Sequence, residues 1–312
     1  MSLCLVTGGA GFIGSHIVRR LLEKGRNVRV LDDFSTGKRA NLAEIEGQIE
    51  LVEGSICDVA AVKRAMTDVE VVFHLAARAS VPRSVEQPLP AHEVNVTGTV
   101  NVLMAAREAG ARRLVYSASS SAYGDTPVMP KKVDMCPQPL SPYAVSKLAA
   151  EHYCACWSHV YGLQTVSLRY FNVFGPRQDP HGAYAAVIPA FVSRMLKGER
   201  PVVYGDGEQS RDFCYIENVV NANMLGAEVE EVHGEVVNVA CGERTTLNEI
   251  LRDLNRLLGT NVEAVYEPTR AGDVRHSLAD IAYTKQVLGY EPKIMFAEGL
   301  ERSIEWYKAN PA

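Results

Sequence analysis

The opening stretch "LCLVTGGAGFIGSHIVRRLLEKGRNVRVLDD" constrains this chain more than any other feature. Leu3 to Val6 is a short apolar run, and Ile13, Ile17, Val18, Leu21 and Leu22 then recur at helical spacing. Gly25 stands where a helix C-terminal glycine belongs, and Val28 to Leu31 is apolar and β-branched. The pattern predicts strand, glycine turn, helix, strand. Gly8, Gly9, Gly11 and Gly14 fill the turn. Small residues there let the backbone turn tightly, approach a pyrophosphate and bring helix against strand, with the first helical amides facing the phosphate charge. Alone, such a turn is weak evidence for a ligand. Here Asp32 ends the next strand, eighteen residues beyond Gly14, and that context specifies a dinucleotide.

A carboxylate at Asp32 accepts hydrogen bonds from both adenosine ribose hydroxyls and repels a 2′-phosphate, so NAD is expected over NADP. The basic pair Lys38 and Arg39 follows in the loop "FSTGKRANL" and reads as solvated. Strands and helices continue to alternate. "QIELVEGSICD" reads as a third strand ending at Asp58, "EVVFHLAARAS" as a fourth, residues 88–110 as a helix, and "RRLVYSASS" as a fifth strand. The alternation predicts an α/β fold, a doubly wound parallel sheet with helices on both faces and ligands beyond the strands' carboxyl ends.

The segment "SPYAVSKLAAE" places Tyr143 and Lys147 one helical turn apart, after a capping Ser141 and a Pro142 suited to a first helical position. By itself that pair is an ordinary helix face.

Composition excludes several classes. With 47% hydrophobic and 22% charged residues over 312 positions the chain reads as a soluble globular protein, and its net charge of −5 argues against a nucleic-acid partner. No run of eighteen apolar residues occurs, so no membrane span is expected. The N-terminus reads as a strand and not as a signal peptide, which makes the cytoplasm the expected compartment. None of the seven cysteines has zinc-site spacing, so no metal is expected and all seven read as reduced and structural.

The motifs "TGGAGFIG", "HLAA", "NVTGT", "SASSSAYG", "YAVSK" and "LRYFNVFGPR", in that order, resemble the extended short-chain dehydrogenase/reductases along essentially the whole chain. Within them the chain is most similar to nucleotide-sugar 4-epimerases. "RYFNVFGPRQDPHGAYAAVIP", "GDGEQSRDFCYIENVV" and "RAGDVRHSLAD" look like those acting on UDP-N-acetylglucosamine. The resemblance implies a Rossmann domain over residues 1–170 and a smaller α/β UDP-sugar domain over 171–312, with 212–240, including "EVVNVA", returning to the first sheet.

It also implies roles. Tyr143 becomes the catalytic base, helped by Lys147 and by Ser119. A tyrosine with a pKa near 10 is a poor base at neutral pH, and a nearby ammonium favours its phenolate. The 4-hydroxyl loses its proton to Tyr143 and a hydride to NAD⁺, the 4-keto sugar turns over, and the hydride returns to the other face. NAD contacts are expected from Gly8, Gly11, Phe12, Ile13, Gly14, Asp32, Asp33, Ser35, Thr36, Gly37, Asp58, Val59, Leu75, Ala76, Ala77, Arg78, Asn95, Ser117, Tyr170 and Phe171, beside Tyr143 and Lys147. Substrate contacts are expected from Ser119, Ser120, Ser121, Asn172, Val187, Tyr204, Arg211, Arg270, Asp273 and Ser277, with Arg83 a further candidate. Ser277 stands where epimerases restricted to glucose and galactose carry a tyrosine, so room for an N-acetyl group is expected. A homodimer through the helices at 88–110 and 142–161 is the family expectation.

Three other readings remain open. A 4,6-dehydratase or decarboxylase would carry acidic residues before "YG", where Ser120 and Ser121 stand. A UDP-glucuronate 4-epimerase shares the serines. A non-catalytic NAD-binding sensor would lack the Tyr143 and Lys147 pair.

Overall fold

The computed structural model describes residues 2–180, 186–269 and 274–310. Its centre is a parallel sheet built from β1 (Leu3–Thr7), β2 (Asn27–Asp32), β3 (Glu50–Glu53), β4 (Val69–His74), β5 (Arg113–Ser119) and β6 (Gln164–Tyr170). Between them run α1 (Phe12–Glu23), α2 (Val59–Met66), the short helices α3 (Val81–Glu86) and α4 (Pro88–His92), then α5 (Thr99–Glu108) and α6 (Pro142–Tyr161). Beyond β6 come β7 (Asn172–Phe174), α7 (Val187–Leu196), β8 (Val202–Tyr204), β9 (Ser210–Arg211), β10 (Phe213–Tyr215), α8 (Ile216–Glu228) and β11 (Glu235–Val239).

The strand order is β11-β6-β5-β4-β1-β2-β3. The chain winds outward from β1 to β3 and then restarts on the other side of β1 with β4. Connections therefore diverge between β1 and β4, which opens a crevice at their carboxyl ends. The doubly wound sheet expected from the sequence is present. The expected strand "EVVNVA" is β11, and it lies parallel to β6 in this sheet.

Apolar side chains cover both faces. Ile17, Val18 and Leu21 of α1 share one core with Val219 and Val220 of α8. Val62 and Met66 of α2, Leu103 of α5, and Ala150 and Cys154 of α6 fill the other. Cys154 is buried and Cys156 exposed, as expected for neighbours on different helix faces, and no cysteine is in a disulfide.

Two boundaries differ from the sequence reading. The third strand ends at Glu53, and Asp58 instead caps α2, its carboxylate accepting from the amides of Ala60 (2.9 Å) and Ala61 (3.3 Å). The helix expected over 88–110 is interrupted by a π-helical stretch, Glu93–Gly98, between α4 and α5. That turn buries Asn95, whose amide accepts from the Arg78 N–H at 2.8 Å and donates to the Arg78 carbonyl at 3.2 Å. A local π turn commonly serves such placement of one side chain.

The second half builds on β7, which pairs with β10, while β9 pairs with Thr245–Thr246 and β8 with Val265–Glu267. Asp212, fully buried, accepts from the amides of Cys241 (2.9 Å), Gly242 (3.0 Å) and Ala279 (3.1 Å). This one carboxylate ties the segment after β11 and the stretch around Ala279 to the residue next to Arg211.

Candidate active site

A cavity of about 1030 Å³ lies at the carboxyl ends of the central strands. Its first wall is the glycine turn. Gly8 has φ +71°, and a Cβ there would stand 2.7 Å from the Ala76 amide nitrogen. A Cβ on Gly14 would stand 2.2 Å from the Gly8 carbonyl oxygen, so α1 presses directly on the turn that precedes it. Both contacts require the absence of a side chain.

Asp32 closes β2 and is 6% exposed. Its carboxylate accepts from the Ala10 N–H at 2.9 Å and the Phe34 N–H at 2.8 Å. Burial raises its pKa, and those two amides oppose the shift. A Cβ on Gly37 would fall 2.8 Å from Asp32 Oδ1, so the following loop folds closely over the carboxylate. Lys38 pairs with Asp179 at 3.0 Å, and Arg39 pairs with Glu53 while its guanidinium lies 4.1 Å from the centre of the Phe34 ring. The two cations that would attract a 2′-phosphate are thus engaged with carboxylates. A carboxylate at the strand end, Asp32, and a side-chain-free turn beside it fit NAD.

The groups expected to be reactive enter from β5 and α6. Ser119 is the last residue of β5; its Oγ lies 2.8 Å from Ser121 Oγ and accepts from the Ser121 N–H at 3.2 Å. Ser141 caps α6 by accepting from the Ala144 N–H at 3.1 Å, and Pro142 occupies the first turn. Tyr143 is fixed further by its own N–H, which donates to Ser84 Oγ of α3 at 3.0 Å. Burial raises the Tyr143 pKa, and a hydrogen bond with Ser119 lowers it. Lys147 follows one turn later, 4% exposed, its Nζ 4.4 Å from the centre of the Tyr116 ring. Burial pushes its pKa down to about 7, against the pull of Cys154 and Glu151. Asn95 donates to Ser146 Oγ at 2.9 Å, which donates to the Tyr143 carbonyl at 2.8 Å, so the π-helical turn braces the start of α6.

The opposite wall comes from the second half. Asn172 Nδ2 donates to the Asp212 carbonyl at 3.1 Å and to Ser277 Oγ at 3.3 Å. Arg211 is held by the carbonyls of Ser210 (3.0 Å) and Arg275 (2.9 Å), and the Ser277 N–H donates to the Ser210 carbonyl at 3.0 Å.

One cavity therefore gathers Gly8, Gly11, Phe12, Ile13, Gly14, Asp32, Asp33, Ser35, Thr36, Gly37 and residues 75–78 with Ser117, Ser119, Ser120, Ser121, Tyr143, Lys147, Tyr170, Phe171, Asn172, Arg211 and Ser277. Several expected residues stand elsewhere. Asp58 is the α2 cap and Val59 is half exposed, and neither lines this cavity. Asn95 lies behind the wall, bound to Arg78. Val187 lines a smaller adjoining cavity, and Tyr204 lines neither; its carbonyl accepts from Gln209 Nε2. Arg83 does not line the cavity. Arg270 and Asp273 lie outside the described residues. Lys131, Arg177 and Gln209 line these cavities without having been expected. All three sit in irregular segments, where no periodicity marks them.

Residues 4–240 match the family model described as the NAD dependent epimerase/dehydratase family. The chain belongs to that family. It is 40% identical to the UDP-glucose 4-epimerase of Mycolicibacterium smegmatis over 97% of this chain and 98% of the relative. The solved structure of Thermotoga maritima UDP-glucose 4-epimerase with UDP-glucose superposes with a TM-score of 0.94 at 40% identity, covering 99% of each chain. That of a UDP-N-acetylglucosamine 4-epimerase from Methanobrevibacter ruminantium M1, in complex with UDP-N-acetylmuramic acid, gives the same TM-score of 0.94, identity of 40% and coverage of 99% of each chain. As a family member the protein uses NAD.

Proposed function

We propose that this NAD-dependent UDP-sugar 4-epimerase inverts C4 of UDP-N-acetylglucosamine and UDP-N-acetylgalactosamine, and also accepts UDP-glucose and UDP-galactose. The observation that carries the acetylated preference is Ser277, a small side chain on the same cavity as Ser119 and Tyr143. A sugar whose C4 is oxidised must turn over as a whole before reduction, so its C2 substituent sweeps the cavity wall. A tyrosine at Ser277 would block an N-acetyl group, since close-packed walls yield little.

Bound NAD supplies reversible hydride chemistry at the sugar's C4. The chain's own groups do the rest. Tyr143 takes the proton from the 4-hydroxyl and later returns it. Ser119 orients that hydroxyl, and the Lys147 ammonium stabilises the phenolate. Arg211 offers a planar cation to the diphosphate, which anchors the substrate while the sugar turns.

Ser277→Tyr tests the reading. It should abolish turnover of UDP-N-acetylglucosamine and spare UDP-glucose. Equal loss on both sugars, or no turnover of the acetylated sugar by the unaltered protein, would remove Ser277 as the gate.

The protein also acts, in this reading, as a homodimer. Leu89 of α4, Met104 of α5 and Val145, Tyr153, Val160 and Tyr161 of α6 are exposed apolar side chains on the two helical segments expected to pair. Sedimentation equilibrium of the NAD-loaded protein should give twice the chain mass; a monomer at micromolar concentration would refute it.

A further inference from the structure

Lys147 lines the cavity, and the role given to it above requires a charged ammonium on a side chain that is almost wholly buried. Removal from water disfavours that charge. The groups facing it from the surrounding elements compensate little. Glu151, one turn further along α6, is taken up by Arg169 of β6. The Cys154 thiol of α6, pushed up by burial, and the His74 ring of β4, pushed down by burial, are both uncharged at neutral pH, and so is the Tyr143 phenol, whose pKa burial raises. Among the described residues Lys147 has no ion-pair partner of its own.

What the ammonium does have is a ring. Its Nζ stands 4.4 Å from the centre of Tyr116 on β5. Tyr116 belongs to the core and does not line the cavity, so water does not reach the ring. Its cross-strand neighbour is His74, with ring centres 5.6 Å apart, and its hydroxyl donates to the Lys147 carbonyl at 3.4 Å. Strand pairing and the helix backbone thus hold the ring under the ammonium. Burial raises the Tyr116 pKa well above its ordinary value, so the ring stays neutral. It meets the cation with the negative face of its π system, an attraction that grows where water is excluded.

From these observations we infer that Tyr116 is a positioning residue for the reaction: its ring face holds the Lys147 ammonium charged and in place, one helical turn from Tyr143. The inference rests on the roles proposed above for Tyr143 and Lys147. A leucine at Tyr116 would fill the core with apolar surface but give the cation no favourable face.

Steady-state kinetics of the NAD-loaded protein on UDP-glucose and UDP-N-acetylglucosamine across pH test this, with Tyr116→Phe, Tyr116→Leu, Lys147→Met and the Tyr116→Leu, Lys147→Met double variant. Tyr116→Phe keeps the ring face and loses one long hydrogen bond, so kcat should stay within about twofold. Tyr116→Leu should lower kcat about tenfold, leave KM unchanged and shift the rise of the pH–rate profile to higher pH. In the Lys147→Met background the same substitution should cost nothing further, because no ammonium is left to hold. An equal loss in both backgrounds would assign Tyr116 to packing alone and overturn the inference while leaving the roles of Tyr143 and Lys147 intact. No turnover of either sugar by the unaltered protein, or a Lys147→Met profile identical to that of the unaltered protein, overturns those roles as well. Should Tyr116→Leu fail to fold, a ring-fluorinated phenylalanine at that position keeps the shape and depletes the face of negative charge. It should turn over more slowly than Tyr116→Phe, and equal rates overturn the inference.

Discussion

The Lys147 ammonium rests 4.4 Å from the centre of the Tyr116 ring, and the carboxylate one turn further along the helix, Glu151, is taken up by Arg169 at 2.9 and 2.7 Å. A buried lysine without its own carboxylate loses its proton more easily, and burial brings its pKa to about 7. In the proposed mechanism the ammonium favours the Tyr143 phenolate, whose own pKa burial holds above its ordinary value. Lys147→Met should therefore lower kcat about 100-fold and shift the rise of the pH–rate profile to higher pH, because the phenolate loses its cation. A variant whose profile rises at the same pH as that of the unaltered protein would mean that Lys147 does not assist Tyr143.

Tyr143→Phe keeps the ring and removes the ionisable oxygen. Folding, the Ser84 contact through the Tyr143 amide and NAD retention should survive, with turnover reduced at least 100-fold. Turnover near the unaltered rate would take Tyr143 out of the mechanism.

Asp32→Ala removes the carboxylate expected to meet the adenosine ribose while leaving Lys38 and Arg39 with their carboxylate partners. NAD affinity should fall, and discrimination against NADP should shrink because the repulsion is gone. NADP in the protein as purified, or equal affinity for both cofactors, would contradict the assignment.

His74 is fully buried between the hydroxyls of Thr7 at 2.7 Å and Thr99 at 2.9 Å, and burial together with the Lys147 charge lowers its pKa to about 3. An unfolded histidine titrates near 6.5. Between these values the unfolded chain binds a proton that the native one does not. The contribution of His74 is therefore complete above pH 6.5 and declines by up to about 1.4 kcal/mol per pH unit toward pH 3. Urea unfolding of the unaltered protein and of His74→Gln at pH 7 and pH 5 should show the smaller loss in the variant. Identical losses would indicate that His74 is protonated in the native state.

Much of this was legible in the sequence because the relevant signals are local. The glycine turn, Asp32 at a strand end and Tyr143 with Lys147 on one helix each follow from spacing along a single element. The end of the third strand was misplaced because "QIELVEGSICD" stays partly apolar past Glu53, while the strand ends where the chain turns to start α2. The π-helical turn left no trace in the periodicity, since it serves the pairing of Asn95 with Arg78, seventeen residues earlier. Lys131 was missed for a related reason. It is carried by an irregular segment whose position depends on a backbone hydrogen bond from Lys131 to Leu278, 2.7 Å long, and so on the second half of the chain.

The most direct test of the account uses UDP-N-acetylglucosamine deuterated at C4, incubated with the NAD-loaded protein and followed by NMR. The account predicts a mixture of the gluco and galacto epimers, deuterium retained at C4 in both, and no accumulation of NADH. Failure to invert C4 of the acetylated sugar while UDP-glucose or UDP-glucuronate is inverted, or loss of the label to solvent, would contradict it.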